Sequence, residues 1–262
     1  MNPRHSACVA CGGPLSYFGS RDSYDYHRCR GCHTIQLWPL PTQAELAAAY
    51  ARDYAQAEHI SSDPDLCIRT SRPYYRAVLD AIRSHAGTHG VRVGEVGAGW
   101  GGLAALVLEA GIDYEGVEPS REMAGYCAYR GLPVSTGDIA ALRGGPFTAL
   151  ALVNVFEHLV NYDAWFARAR AVLADGGIIV TAQPTAPFAC FTRQVARLGR
   201  KNKPLPQIHQ EFCPPWHIVF FSFEGMRWLA DRYGFDLIDL RRTPQGRGAG
   251  LTGAIQTALE YT

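Results

Sequence analysis

Four cysteines near the N-terminus hold the first residues whose types and spacing could do chemistry. "CVACGG" and "CRGCHT" set Cys8, Cys11, Cys29 and Cys32 in a C-x2-C-x17-C-x2-C pattern. A two-residue gap lets both thiolates of one turn reach the same cation, and two such turns close a tetrahedron. The pattern therefore predicts one Zn2+, and four thiolates leave no open position, so the metal is expected to be structural. His27 and His33 are near enough in sequence to substitute as ligands, but the cysteine pairs make them unnecessary. Gly12 and Gly31 are placed to give the two turns their backbone freedom. Between the pairs, "SYFGSRDSYDYHRC" reads as short aromatic-rich strands, so residues 1–40 are expected to form a zinc ribbon. A segment with so little aliphatic content needs such a staple to fold.

A second chemical signal lies at residues 94–102, "GEVGAGWGG". Gly97, Gly99 and Gly102 fit G-x-G-x-x-G, the dinucleotide turn, while Glu95 with Gly97, Gly99 and Gly101 fits E-x-G-x-G-x-G. The flanks read as strand, tight turn and helix, with Leu103, Leu106, Val107 and Ala110 at helical spacing. The next strand, "YEGVEPS", ends at Glu118, whose carboxylate could accept hydrogen bonds from both ribose hydroxyls of any adenosine ligand. Glu118 therefore does not separate the two phrases. Glu95 does. A glycine turn at a helix N-terminus favours an anion, and an acid two residues before the first glycine would repel a pyrophosphate. The acid suits a ligand with an ammonium group and no phosphate, and S-adenosylmethionine is such a ligand.

Further along, "PVSTGDI" ends a third strand at Asp138, suited to the exocyclic amine of adenine, with Ile139 beside it. "FTALALVNVFEHL" is a fourth strand running into Asn154, Glu157 and His158, and "ARAVLADGGIIVTAQP" is a helix, a turn and a fifth strand. With "GEVGAGWGG", "GVEPS", "TGDI" and "VNVFEHL…LADGGIIV" in this order, the sequence resembles the class I S-adenosylmethionine-dependent methyltransferases over roughly residues 90–185, extending through "PPWHIVFFSFEGMRWLADRYGFDLID". The resemblance implies an α/β, Rossmann-like fold with a seven-stranded sheet whose last strand is antiparallel. It also implies that Glu95, Gly97, Ala98, Gly99 and Gly101 face the methionine part of the cofactor. Glu118 with Pro119 would face the ribose, Asp138 with Ile139 the adenine, and Asn154 would complete the cofactor site. Trp100 inside the loop, and Glu where Asp is commoner at position 95, depart from the family's pattern. The four-cysteine module is similar to that of deoxysugar C-methyltransferases, which are longer and carry a further C-terminal domain.

Methyl transfer from a sulfonium asks the protein to align donor and acceptor, exclude water and accept a proton where the nucleophile carries one. His158, in the family's E-H position, and His217, in "PPWHIVFFS", are the candidate bases; the plain alternative for each is a histidine hydrogen-bonded within the fold. Glu157 reads as an orienting or solvated residue, and Glu211 could orient His217. An inserted helix is expected near 186–210. Its Arg193, Arg197 and Arg200, with Lys201 and Lys203, make either a solvated face or a lid for a phosphate, a carboxylate or an acidic carrier protein.

These groups must be positioned by the rest of the chain. Residues 41–88 read as a helical connector that covers the cleft: Thr42 and Glu45 form a capping box, and Tyr50 and Tyr54 either pack in the core or cover the ligand. A methyltransferase domain is expected over 89–245, and a glycine-rich tail over 246–262. Apolar content of 47% with a formal net charge of +1 describes a globular chain with no global pull toward nucleic acid or an anionic membrane. No long apolar run and no secretory leader are read, so a cytoplasmic location is expected, and Cys67, Cys127, Cys190 and Cys213 are taken as buried hydrophobes. The expected partner is a small-molecule acceptor, anionic or carrier-bound, in the biosynthesis of a natural product or sugar derivative. A zinc-ribbon RNA methyltransferase and a non-catalytic cofactor-binding interaction protein are the alternatives.

Overall fold

Asp22 and Ser23 both adopt positive φ, the backbone that a two-residue hairpin of right-handed twist requires. They join Leu15–Arg21 (β1) to Tyr24–Cys29 (β2) in an antiparallel pair. The computed structural model describes residues 7–53, 63–87, 90–198, 212 and 214–241. It divides into two compact units: residues 1–60, 157–160 and 183–240, and residues 61–156, 161–182 and 241–262.

In the first unit, β2 pairs with Ile35–Leu37 (β3), and β3 pairs with Val219–Phe220 (β9), nearly two hundred residues further on. Tyr26, Ile35, Leu37 and Phe220 are buried in this sheet, and the Phe212 ring packs edge-on against Tyr26 at 5.1 Å between centroids. Gln43–Asp53 (α1) starts at the expected capping box: Thr42 N donates to Glu45 Oε2 at 2.7 Å and Glu45 N to Thr42 Oγ1 at 3.2 Å. Ala186–Leu198 (α6) is the expected helix, although only to Leu198; Arg200, Lys201 and Lys203 lie outside the described residues. Phe223–Arg232 (α7) is capped by Ser222, which accepts from Gly225 N at 2.8 Å and donates to the Cys32 carbonyl.

The second unit is a three-layer α/β arrangement. Arg92–Val96 (β4), Asp113–Glu118 (β5), Val134–Thr136 (β6), Phe147–Val153 (β7) and Leu173–Ala182 (β8) form a parallel sheet in the order β6-β5-β4-β7-β8. Strand order reverses between β4 and β7, the place where open sheets of this kind bind ligands beyond the strands' carboxyl ends. Pro64–His85 (α2) buries Tyr74, Val78, Leu79 and Ile82, and Gly102–Glu109 (α3) buries Leu103, Leu106 and Val107, in one core with Val93, Ala149 and Ala151 of the sheet. Arg121–Tyr129 (α4) and Tyr162–Val172 (α5) are the other helices, capped by Ser120 and Asn161. No helix among the described residues is long and apolar enough to cross a membrane.

Two expectations change. The parallel sheet has five strands among the described residues, where seven were expected. Val219 and Phe220, at the expected sixth strand, have their ladder partners in β3, and residues 234–240 alternate in exposure. Residues 183–240 cluster with residues 1–60 in the first unit. In the second cysteine turn it is His33, at φ 66°, that takes the left-handed backbone expected of Gly31. The side chain of Tyr50, together with Tyr54, Glu211, Cys213 and the tail from 246, lies outside the described residues.

Ser222→Ala removes a helix cap worth about 1 kcal/mol and leaves the buried Cys32 carbonyl without its donor. Denaturant unfolding of the variant should show a loss of roughly 1–3 kcal/mol; an unchanged midpoint would mean that neither bond contributes.

Candidate functional site

The sequence-assigned binding residues, Glu95 apart, gather at the carboxyl ends of β4 to β7. Gly97, Gly99 and Gly101 all have positive φ (75°, 54° and 78°), so the turn after β4 is built from conformations that glycine adopts without strain. Space tells the three apart. A Cβ on Gly97 would sit 2.4 Å from Val155 Cγ2, one on Gly101 2.4 Å from Leu132 Cδ1, and one on Gly102 2.1 Å from the Tyr75 ring. Beside Gly99 there is nothing within 4 Å. The loop is thus packed from behind at three glycines and open at the fourth, as a cradle for a closely approaching ligand must be. Ala98 is buried, and the amides of Gly97 and Ala98 both donate to Val117 O, which ties the loop to β5.

Glu118 ends β5 and is buried, with one oxygen taking Gly99 N and the other Ser120 N, each at 2.8 Å. A carboxylate has about four acceptor positions, so two remain for ribose hydroxyls. Burial pushes its pKa up, and the two amide bonds oppose that. Pro119 follows it and is exposed. Asp138, exposed, caps a short 3-10 turn at Ile139–Ala141 by accepting from Ala140 N at 2.9 Å, and Ile139 is buried beneath it. The Arg168 guanidinium donates to Leu142 O at 2.9 Å, holding this turn in place. Asn154 follows β7 at positive φ; Tyr74 OH donates to its Oδ1 at 3.2 Å.

Glu95 is placed differently from the sequence reading. It lies within β4, only 1% exposed, and Tyr114 OH donates to its carboxylate. Burial raises its pKa to about 8, with the charge of Glu118 adding and the Tyr114 bond opposing. A carboxyl group neutral at pH 7 and facing Tyr114 would not repel a phosphate from the loop surface. Sequence inspection missed Tyr114, because attention in β5 fell on Glu118 and the alternation of the strand does not say which residue lies across from Glu95.

In the first unit, two candidate bases and an acid meet. Phe156–His158 forms a 3-10 turn, and Ile218 N donates to Glu157 O at 3.1 Å. His158 Nε2 lies 3.6 Å from Glu157 Oε1, and the rings of His158 and His217 stand edge to face at 5.1 Å. Glu157, expected to orient a neighbour or be solvated, is fully buried. Arg193 of the basic helix has its guanidinium 4.2 Å from the centre of the Phe18 ring, so this cation is engaged with β1; the side chain of Arg197 lies outside the described residues.

The four N-terminal cysteines converge. Cys8 Sγ is 3.6 Å from Cys32 Sγ, Cys11 Sγ is 3.5 Å from Cys29 Sγ, and all four lie within 4.8 Å of one another. Zn–S bonds of about 2.3 Å set the sulfurs of a tetrahedron about 3.8 Å apart, so the cluster fits that ion with little adjustment. Gly13 lies against the cluster: a Cβ there would come within 3.1 Å of Cys29 Sγ. Neither His27 nor His33 joins the group among the described residues.

A family model described as a methyltransferase domain matches residues 69–240, well over half of the chain. Among solved structures, 1,6-didemethyltoxoflavin-N1-methyltransferase from Burkholderia thailandensis, with bound 1,6-didemethyltoxoflavin and S-adenosylhomocysteine, matches at 18% identity over 87% of this chain and 92% of its own, with a TM-score of 0.53. Magnesium protoporphyrin IX methyltransferase from Synechocystis PCC 6803, with bound S-adenosylhomocysteine, matches at 14% identity over 77% of this chain and 93% of its own, with a TM-score of 0.53. For DesVI from Streptomyces venezuelae the match is 20% identical over 53% of this chain, spans 58% of that protein's length and has a TM-score of 0.39. None of the curated proteins matches the sequence.

The raised Glu95 pKa has a sign that can be measured. Between the ordinary carboxyl value of 4.5 and about 8, the folded chain keeps a proton that the unfolded chain has lost. The stability this residue contributes is therefore fully present below the lower value and is lost as pH rises through the upper one. In the ligand-free protein, Glu95→Gln should be nearly neutral at pH 5 and stabilising at pH 8 by an amount on the order of 1–3 kcal/mol. Identical pH slopes for variant and parent would show that Glu95 is ionised in the fold.

Proposed function

The chain belongs to the S-adenosylmethionine-dependent methyltransferases, and we propose that it methylates a small-molecule acceptor, a natural-product precursor or sugar derivative. The observation that carries this reading is the glycine loop itself, closed behind Gly97, Gly101 and Gly102 and open at Gly99, at the edge of the sheet where strand order reverses. When bound, S-adenosylmethionine supplies a methyl group already activated on a sulfonium.

The chain's own residues hold and align. Gly97, Ala98, Gly99 and Gly101 would take the methionine part, with Glu95 supporting the loop from beneath. Glu118 and Pro119 would take the ribose through the acceptor positions that the Gly99 and Ser120 amides leave open. Asp138 and Ile139 would take the adenine, and Asn154 would close the site after β7. His158 and His217 act on the acceptor, in the simplest form by receiving its proton. Their closeness, beside a buried carboxylate, supports that assignment. Cys8, Cys11, Cys29 and Cys32 would hold one structural Zn2+.

A small acceptor is favoured over RNA by the charge of +1, which lacks the basic excess of a nucleic-acid binder. The fold's relatives add a consistent precedent: one has a toxoflavin precursor bound and another is named for a porphyrin. Anion recognition by the basic helix loses one of its cations, since Arg193 is engaged with Phe18. A purely cofactor-binding role is separated from catalysis by turnover alone.

Calorimetry should find S-adenosylhomocysteine bound and NAD not, and Glu118→Ala should weaken that binding by about 1.5–3 kcal/mol. Against pathway metabolites, mass spectrometry should find a product heavier by one methylene. His158→Ala or His217→Ala should then lower kcat by roughly 10²–10⁴-fold with cofactor affinity unchanged. Tight NAD binding without affinity for S-adenosylhomocysteine would overturn the reading. Elemental analysis should show Cys29→Ser losing one equivalent of zinc relative to the parent chain and the ribbon losing its fold with it.

A further inference from the structure

The meeting of Glu157, His158 and His217 has a chemistry beyond proton transfer. One ligand atom from each, a carboxylate oxygen and two imidazole nitrogens, lies within 4.8 Å of the other two. Glu157 is fully buried and His217 is 9% exposed.

The backbone beneath these side chains is fixed at both segments. Ile218 N donates to Glu157 O at 3.1 Å, and Tyr26 OH, itself buried, donates to His217 O at 2.9 Å. Ions bound through nitrogen and oxygen at about 2.0–2.2 Å set neighbouring ligand atoms about 3–3.5 Å apart. The 3.6 Å between Glu157 and His158 is already close to this, and the ligand nitrogen of His217 lies within 4.8 Å of both.

We propose that Glu157, His158 and His217 form a second metal centre, holding one divalent first-row transition ion. Two imidazoles and one carboxylate suit such an ion, and three protein ligands leave coordination positions open. The contrast with the ribbon is chemical: four thiolates close a structural site, whereas this set leaves room for an oxygen or nitrogen of a further ligand. Resting on the methyltransferase reading, that ligand is the acceptor, so the acceptor class is one with a hydroxyl, carboxylate or amine able to coordinate. The imidazoles then act on the acceptor through the ion.

Cobalt(II) loaded into the full chain tests this, because thiolate-bound cobalt gives an intense near-ultraviolet charge-transfer band and a nitrogen–oxygen site does not. Two equivalents should bind, one with that band and one without. His217→Ala and the isosteric Glu157→Gln should each lose the second equivalent and keep the thiolate band, which also reports that the ribbon is still folded. Cys29→Ser should lose the band. A single equivalent in the parent chain, or a second one unaffected by both variants, would overturn the proposal. Methyl transfer is read separately. Transfer that persists with one equivalent and survives a chelator leaves the function standing without this centre, whereas two equivalents without any transfer leave the centre standing without the function.

Discussion

Missing side-chain atoms govern the methyltransferase sheet. At Gly97, Gly101 and Gly102 the backbone after β4 comes so close to Val155, Leu132 and Tyr75 that no Cβ fits. Those three neighbours follow β7, precede β6 and lie on α2. The loop is therefore where three separately placed segments are drawn against one turn. Interiors pack at near-crystalline density, so any one of them moving would open a gap that the others cannot fill. The open side at Gly99 is the complement of that tightness: the loop can receive a ligand there because its other face is rigid.

Beneath the loop lies an unusual electrostatic floor. Glu95 and Glu118 are both buried, and burial, with the charges of Glu95 and Glu118, pushes the Cys127 thiol up to about 12. The low dielectric that raises these values also magnifies any charge brought nearby. A cationic ligand above the loop would draw Glu95 back toward ionisation, while an anion would hold it protonated. Glu95 can thus answer a cation without a charge standing ready at the loop surface.

That distinction shows what the sequence could and could not disclose. The E-x-G-x-G-x-G phrase identified the loop, and Glu118, Asp138 and Asn154 lie at the strand ends where their order placed them. The role given to Glu95 rested on a charge facing the ligand, which its burial against Tyr114 does not support; one position on a strand does not say what lies across it. Spacing alone gathered the four cysteines correctly, because the C-x2-C turn is local. It missed the positive φ of His33, since glycine nearby was the more obvious candidate. Nothing local in "HIVFFS" says that Val219 and Phe220 will pair with Ile35 and Gln36. A short apolar run fits any buried ladder, and which edge takes it is decided by segments far away in the chain.

That distant pairing also ties the N-terminal sheet to residues far along the chain. Residues 219–220 are its fourth strand, and Ser222, just beyond, bonds the carbonyl of Cys32, one of the four sulfur-bearing residues. Tyr26, in the strand that ends at Cys29, holds the carbonyl of His217. The path from the cysteine cluster to the histidine that the sequence offered as a base is therefore only a few bonded contacts long, all within one compact unit. β2 and β3, which flank the second cysteine pair, supply the anchor of His217 and the partner of β9. A module that composition suggests is an appendage is, by its hydrogen bonds, the support on which the backbone of His217 rests.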